Sequence, residues 1–203
     1  MRLLDYIHGQ LVFKRRVQVL SGSIVKLIPQ NSTILDIGCG DGLIDKLIIE
    51  QRPDVKITGL DILVRDKTFI EVIKFDGKSI PFPDNQFDCA IFIDVLHHTI
   101  DPMVLLKEAK RIAKKFIIIK DHSRDGFLSN ETLKLMDWVG NARHKVVLPY
   151  NYWTKKQWEN AFSELKLKPI SYNTKLNLYP FPANLFFERN LHFLALLQKA
   201  EQK

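Results

Sequence analysis

Cysteine is scarce in this chain of 203 residues, which has only Cys39 and Cys89. Two cysteines can build neither a disulfide framework nor a spaced zinc set, so both are read as parts of core elements and a reducing cytoplasm is the expected compartment. Long apolar runs are lacking too: none approaches the roughly 20 residues that span a bilayer. The opening Met1-Arg2-Leu3-Leu4-Asp5 has no signal-peptide core. No transmembrane segment is therefore expected. Repeats and low-complexity tracts are also absent. The basic excess, a net charge of +7 with a pI near 9.3, never condenses into one tract. It is split between Lys14-Arg15-Arg16 and Lys110-Arg111 with Lys114-Lys115. Such a charge permits an anionic partner, but short clusters are expected to be solvated helix faces.

What is present is ordinary globular composition, 46% hydrophobic and 26% charged, with a clear alternation of periods. Val17, Leu20, Ile24, Leu27 and Ile28 share one helical face that ends before Pro29. Thr33 to Ile37 is a short β-branched strand, followed from Leu43 by a helix with Leu43, Ile44, Leu47 and Ile48 on one side. Further strands are expected at Lys56 to Leu60, near Ile70 to Phe75, at Phe87 to Ile93 and at Phe116 to Ile119. Near-continuous apolar runs of this kind suit strands buried on both faces. Asp101-Pro102 opens a helix that carries Val104, Leu105, Ala109 and Ile112 inward. A helix over Glu131 to Val139 is expected to stop at Gly140, and another starts at Thr154 with Gln157 in capping-box register. Leu167 to Tyr172 and Leu191 to Leu197 are terminal strand candidates. The rhythm predicts an α/β fold of Rossmann-like type, with a mostly parallel seven-stranded sheet and helices on both faces. One domain is expected over 1–203: a helical region at 1–30, a cofactor-binding core at 31–120, and substrate-side helices with terminal strands at 121–203.

The chemistry centres on Asp36-Ile37-Gly38-Cys39-Gly40-Asp41-Gly42, a glycine-rich turn between strand and helix where a ligand can approach the backbone. Dinucleotide-binding folds and phosphate loops use the same device. Here the third glycine comes one residue earlier than in Gly-x-Gly-x-x-Gly, and no Gly-Lys-Ser/Thr follows. Asp36 places a carboxylate on the expected cofactor side, which suits a ligand bearing ammonium and sulfonium groups better than a pyrophosphate.

The segment resembles motif I of class I methyltransferases that use S-adenosylmethionine (SAM), and further landmarks follow in order. The resemblance implies that Asp61 holds the ribose hydroxyls and that Ile62 packs on adenine. Asp76-Gly77, followed by Ile80-Pro81-Phe82-Pro83, matches the stretch whose first Asp receives the adenine amino group. It is similar to the small-molecule methyltransferases related to ubiquinone biosynthesis enzymes. Ile93-Asp94 corresponds to the strand end whose backbone reaches the methionine portion, completing a cofactor set of Asp36, Gly38, Cys39, Gly40, Asp61, Ile62, Asp76, Gly77, Ile93 and Asp94. The demethylated product, S-adenosylhomocysteine, is expected to bind there too.

Methyl transfer from a sulfonium is an in-line displacement that needs positioning and no metal. Where the acceptor starts protonated, a base helps, and His97, His98 and His122 are the catalytic candidates, with Asp121 able to orient His122 if the fold joins them. The stretch from Trp138 to Trp153, with Asn141, Arg143, His144, Tyr150, Asn151 and Tyr152, suits a substrate wall. The expected acceptor is a small molecule. Nucleic acid stays open as a less favoured partner, since Asp94-Val95-Leu96-His97 departs from the Asn/Asp-Pro-Pro-Tyr signature of nucleobase-amine enzymes. Two other readings stay open: an NAD-dependent oxidoreductase, and a non-catalytic nucleic-acid or lipid-surface module on a methyltransferase-like fold.

Overall fold

A computed structural model describes residues 12–141 and 149–200. Helix α1 covers Lys14–Val25, and strand β1 (Thr33–Ile37) leads through the glycine turn into α2 (Leu43–Gln51). β2 (Lys56–Asp61), β3 (Val72–Lys74) and β4 (Phe87–Ile93) follow, then a single 3-10 turn at Leu96–His98. α3 (Pro102–Ile112) leads into β5 (Ala113–His122), α4 (Ser129–Asn141) and α5 (Lys155–Glu164). The chain closes with β6 (Leu167–Asn173), the one-turn α6 (Asn184–Phe187) and β7 (His192–Lys199).

All seven strands form one sheet in the order β3-β2-β1-β4-β5-β7-β6. The pairs from β3 to β5 are parallel, and β7 runs antiparallel to both β5 and β6. The order reverses at β1, whose neighbours are β2 and β4, and that is where open α/β sheets make their ligand crevice. Strand alternation divides the core into two layers. Leu35 and Ile37 pack with Leu105, Ala109 and Trp158 on one face, whereas Ile34, Ile91 and Ile118 pack with Leu20, Ile24 and Ile48 on the other. Both faces of the central strands are thus covered, which is why their sequences read as unbroken apolar runs.

The helix starts follow local chemistry. Asp101 accepts from the Met103 amide at 2.9 Å, with Pro102 in the first turn. Thr154 and Gln157 form the reciprocal capping box, a feature that contributes about 1 kcal/mol.

Several expectations need correction. Val104 is 40% exposed, and Leu106 takes the inward place beside Leu105. Gly140 does not end its helix, which continues to Asn141; the glycine makes no left-handed cap there. β3 is only Val72–Lys74. β5 runs past Ile119 through His122, so Lys120, Asp121 and His122 belong to the strand, with alternate side chains on opposite faces. Cys39 lies half-buried in the glycine turn and only Cys89 is in a strand.

Candidate functional site

The glycine turn owes its shape to two neighbours. Gly38 (φ 82°) donates to the Leu60 carbonyl at 2.7 Å, and Cys39 donates to the same oxygen at 3.1 Å. A Cβ at Gly38 would meet Val95 Cγ2 at 2.5 Å, and one at Gly42 (φ 76°) would meet Ile70 Cγ1 at 2.4 Å. Left-handed backbone and lack of space together require glycine at both positions. Asp61, at the end of β2, spans the opening of the turn: one oxygen accepts from Gly40 N at 2.8 Å and the other from Leu63 N at 2.8 Å.

Ile62 is 57% exposed beside Gly77, where an added Cβ would lie 3.1 Å from its Cγ2. Asp76, next to it, accepts from Lys78 N and Ser79 N, each at 2.7 Å. Those amide bonds hold its carboxyl below the usual range. The three residues expected around adenine thus converge on one open shelf with an exposed apolar side chain. Asp36 is placed differently from expectation. It is 1% exposed, does not border the cavity, and lies beside Asp45 of α2. Burial, followed by the Asp45 carboxylate, pushes its pKa well up, while burial raises Asp45 to about 6. Such a pair is stable when one member keeps its proton.

A cavity of about 340 Å³ extends from Gly38, Cys39, Gly40 and Asp41 to Ile93, Asp94, His97, His98 and His122. Phe13, just before α1, completes its walls with residues of α1 and α4, among them Arg16, Met136 and Asp137. The far end is a buried polar network. His97 Nδ1 lies 2.6 Å from Asp121 Oδ1, and Asp121 also accepts from Leu96 N (3.0 Å) and His122 N (2.7 Å). Asp121 therefore orients His97, not His122 as the chain order suggested, because strand pleating turns it away from its neighbour. His97 Nε2 lies 3.3 Å from Asp137 Oδ2, and the Tyr152 hydroxyl donates to that oxygen at 2.5 Å. Burial opposes charge on His97, but Asp121 and Asp137 outweigh it and raise its pKa to about 9. Burial and neighbouring His97 lower His98 to about 4. Burial and Lys120 keep His122 well below its ordinary value. The Nδ1 atoms of His98 and His122 are buried with no hydrogen-bond partner among the described residues.

Asp94 joins a second network. Its carboxylate accepts from Arg16 of α1 and from fully buried Lys120 of β5, with His122 Nε2 at 3.4 Å. Lys120 Nζ also lies 3.3 Å from His192 Nδ1, and His192 Nε2 lies 2.9 Å from the Phe187 carbonyl. Burial, then Arg16, drives the Lys120 pKa well down.

Sequence reasoning missed Asp137, Asp45, Arg16 and His192, which reach their partners only through tertiary packing. Of the expected substrate wall, Tyr152 is buried on Asp137. Asn151 fastens the 3-10 turn by donating to the Thr99 and Ile100 carbonyls. Tyr150 is half-buried near Lys134. Arg143 and His144 lie outside the described residues, as does the Asn141 side chain. Among the described residues, two groups of side chains have ligand atoms close enough for a metal ion: His97, Asp121 and His122, and His97, His98 and Asp137. No helix among the described residues is long and apolar enough to cross a membrane.

Comparison with known proteins agrees with this geometry. The family model described as "Methyltransferase domain" matches residues 8–172. The uncharacterized protein MJ1123 of Methanocaldococcus jannaschii is 32% identical over 169 residues, covering 80% of this chain and 75% of that protein. The tRNA (carboxymethyluridine(34)-5-O)-methyltransferase of Schizosaccharomyces pombe is 35% identical over 78 residues, and the match covers 36% of this chain and only 32% of that enzyme. Among solved structures, a SAM-dependent methyltransferase of Thermotoga maritima aligns with a TM-score of 0.67 at 19% identity, covering 98% of this chain and 96% of that one. The family match removes the dinucleotide-dehydrogenase reading. A strand order reversing at a glycine turn, a cavity opening from that turn, and a family model spanning most of the sequence lead to one assignment: this chain belongs to the methyltransferase-domain family and is a SAM-dependent methyltransferase.

Proposed function

We propose that the chain transfers the SAM methyl group to a small-molecule acceptor that enters the cavity from the histidine side. The observation that carries this reading is the continuity of the cavity: the glycine turn borders one end, and His97, His98 and His122 border the other. SAM would lie with its adenosine on the shelf of Asp61, Ile62, Asp76 and Gly77. Its methionine portion would lie along Gly38, Cys39, Gly40, Ile93 and Asp94. About 340 Å³ is at the low end of the roughly 300–1,000 Å³ usual for small-ligand sites, and part of it takes the donor. The acceptor is then a small molecule, or a small reacting group at the end of a larger one.

When bound, SAM supplies an electrophilic methyl carbon and leaves as a neutral thioether, so the protein mainly aligns two reactants and excludes water. His97, held between Asp121 and Asp137, orients the turn that carries it. The unpartnered Nδ1 of His122 is an acceptor for a hydroxyl or amine proton in the reacting molecule, with His98 beside it in the cavity wall. Asp36 acts from beneath the turn, paired with Asp45, in place of direct contact with the ligand.

Purified protein incubated with methyl-labelled SAM and separated cytosolic fractions tests this. Label is expected in the solvent-soluble small-metabolite fraction and is expected to survive RNase treatment. Label confined to tRNA, the substrate in the name of the Schizosaccharomyces pombe relative, would overturn the small-molecule acceptor. Label in no fraction, with SAM bound, would overturn turnover itself.

A further inference from the structure

We propose that His97, His98 and Asp137 form a binding site for a divalent transition-metal ion of the zinc class, set in the cavity wall beyond the cofactor turn. One ring nitrogen from each histidine and one Asp137 oxygen lie within 4.8 Å of one another. His97 Nε2 and Asp137 Oδ2 are 3.3 Å apart. That is close to the edge, about 3.4 Å, of a tetrahedron whose bonds are roughly 2.0–2.1 Å. Yet Nε2 has no hydrogen-bond partner of acceptable geometry among the described residues, although His97 is only 1% exposed. An imidazole nitrogen and a carboxylate oxygen buried this close are placed as two ligands of a common ion would be, and without the ion they pair through the His97 proton.

The support around the ligands points the same way. Asp121 accepts two backbone amides besides the His97 ring. A carboxylate so surrounded by donors holds the Nδ1 proton and points Nε2 toward Asp137, where a bound ion would replace the Nε2 proton. This carboxylate–histidine arrangement is what orients a metal-binding imidazole. Asp137 is fixed in turn by the Tyr152 hydroxyl. His98 lies with its ring 4.0 Å from that of His97, and its Nδ1 is buried without a partner. Two carboxylates converge on this pair of rings, so the pocket favours a cation. The other grouping, which uses Asp121 as a ligand, is less suited because its oxygens already accept three N–H groups.

Two imidazoles and one carboxylate suit zinc and its neighbours better than magnesium or calcium. Three protein ligands leave a coordination position, and all three residues border the cavity. An acceptor oxygen at that position would be polarised and made easier to deprotonate. This last role rests on the methyl-transfer reading; the ion site does not.

Tag-free protein treated with chelator and dialysed should be titrated with Co²⁺ in the absence of SAM and acceptor, following visible ligand-field absorption. One equivalent is expected to bind and to be displaced by Zn²⁺. Affinity should fall at least tenfold in His98→Gln, at the half-buried ligand, and in Asp137→Asn, while exposed Glu159→Gln stays unchanged. SAM calorimetry on each preparation reports the donor site separately and confirms folding. A folded protein that binds no Co²⁺, or variants with undiminished affinity, would overturn the site and leave His97 as a ring bridging two carboxylates through protons.

Discussion

Gly38→Ala is expected to weaken SAM binding at least 100-fold and to destabilise the protein by roughly 2–5 kcal/mol, from overpacking and left-handed backbone together. The new methyl would stand 2.5 Å from Val95 Cγ2 and 2.7 Å from Cγ1, and neither side can yield cheaply. Val95 follows the buried strand β4, and Gly38 N is held on the Leu60 carbonyl. The turn must therefore move, which shifts the amide of Gly40 away from Asp61 and opens the cradle. The double variant Gly38→Ala/Val95→Ala separates the causes. It restores the space and leaves only the backbone cost of about 1–2 kcal/mol, so it should regain much of the stability. Thermal denaturation and calorimetry check both quantities. A single variant that binds SAM as the parent does would mean that this turn is not the cradle.

The second large effect is expected at a residue that touches neither reactant. Asp121→Asn should lower kcat about 10–100-fold, the range seen when the group orienting an active-site imidazole is lost, while the Kd for SAM stays within twofold. Asp121 uses both oxygens, one for the amide of Leu96 and one for His122 N and His97 Nδ1. Asparagine offers one oxygen and an NH₂ group, so one of these donors must face another donor. An unsatisfied buried donor costs about 1–3 kcal/mol. The 3-10 turn carrying His97 and His98 is then released from the end of β5. A merely structural role would lower stability and leave kcat of the folded enzyme unchanged, so the split between kcat and SAM affinity decides.

The glycine turn and the shelf expected for adenine were legible because they are local. Asp36 to Gly42 is one turn, and Asp61 and Asp76 follow successive strand ends, so spacing along the chain carries the information. Asp36 nevertheless is placed differently, because nothing in its own neighbourhood reveals that Asp45, in the first turn of α2, would be its buried companion. The histidine end of the cavity, where the acceptor is proposed to enter, is assembled from β4, β5, α1, α4 and the 3-10 turn. His97 finds Asp121 from a neighbouring strand and Asp137 from a helix, and no spacing rule announces either. The same limit applies to the fold. Strands β1, β2, β4 and β5 announce themselves as apolar runs, but the insertion of β7 between β5 and β6 reflects pairing preferences over residues far apart. Gly140, expected as the stop, is the next-to-last residue of α4 and borders the cavity.

The central claim is that the glycine turn, with Asp61 across it, holds the methyl donor. Calorimetric titration of the purified chain with SAM and with its demethylated product tests it most directly. One-to-one binding of both is predicted, with NAD silent, and Asp61→Ala should lose tenfold or more in affinity, since a hydrogen bond to a charged acceptor contributes about 1.5–3 kcal/mol. No binding by correctly folded protein, or equal affinities in the parent and Asp61→Ala, would contradict it.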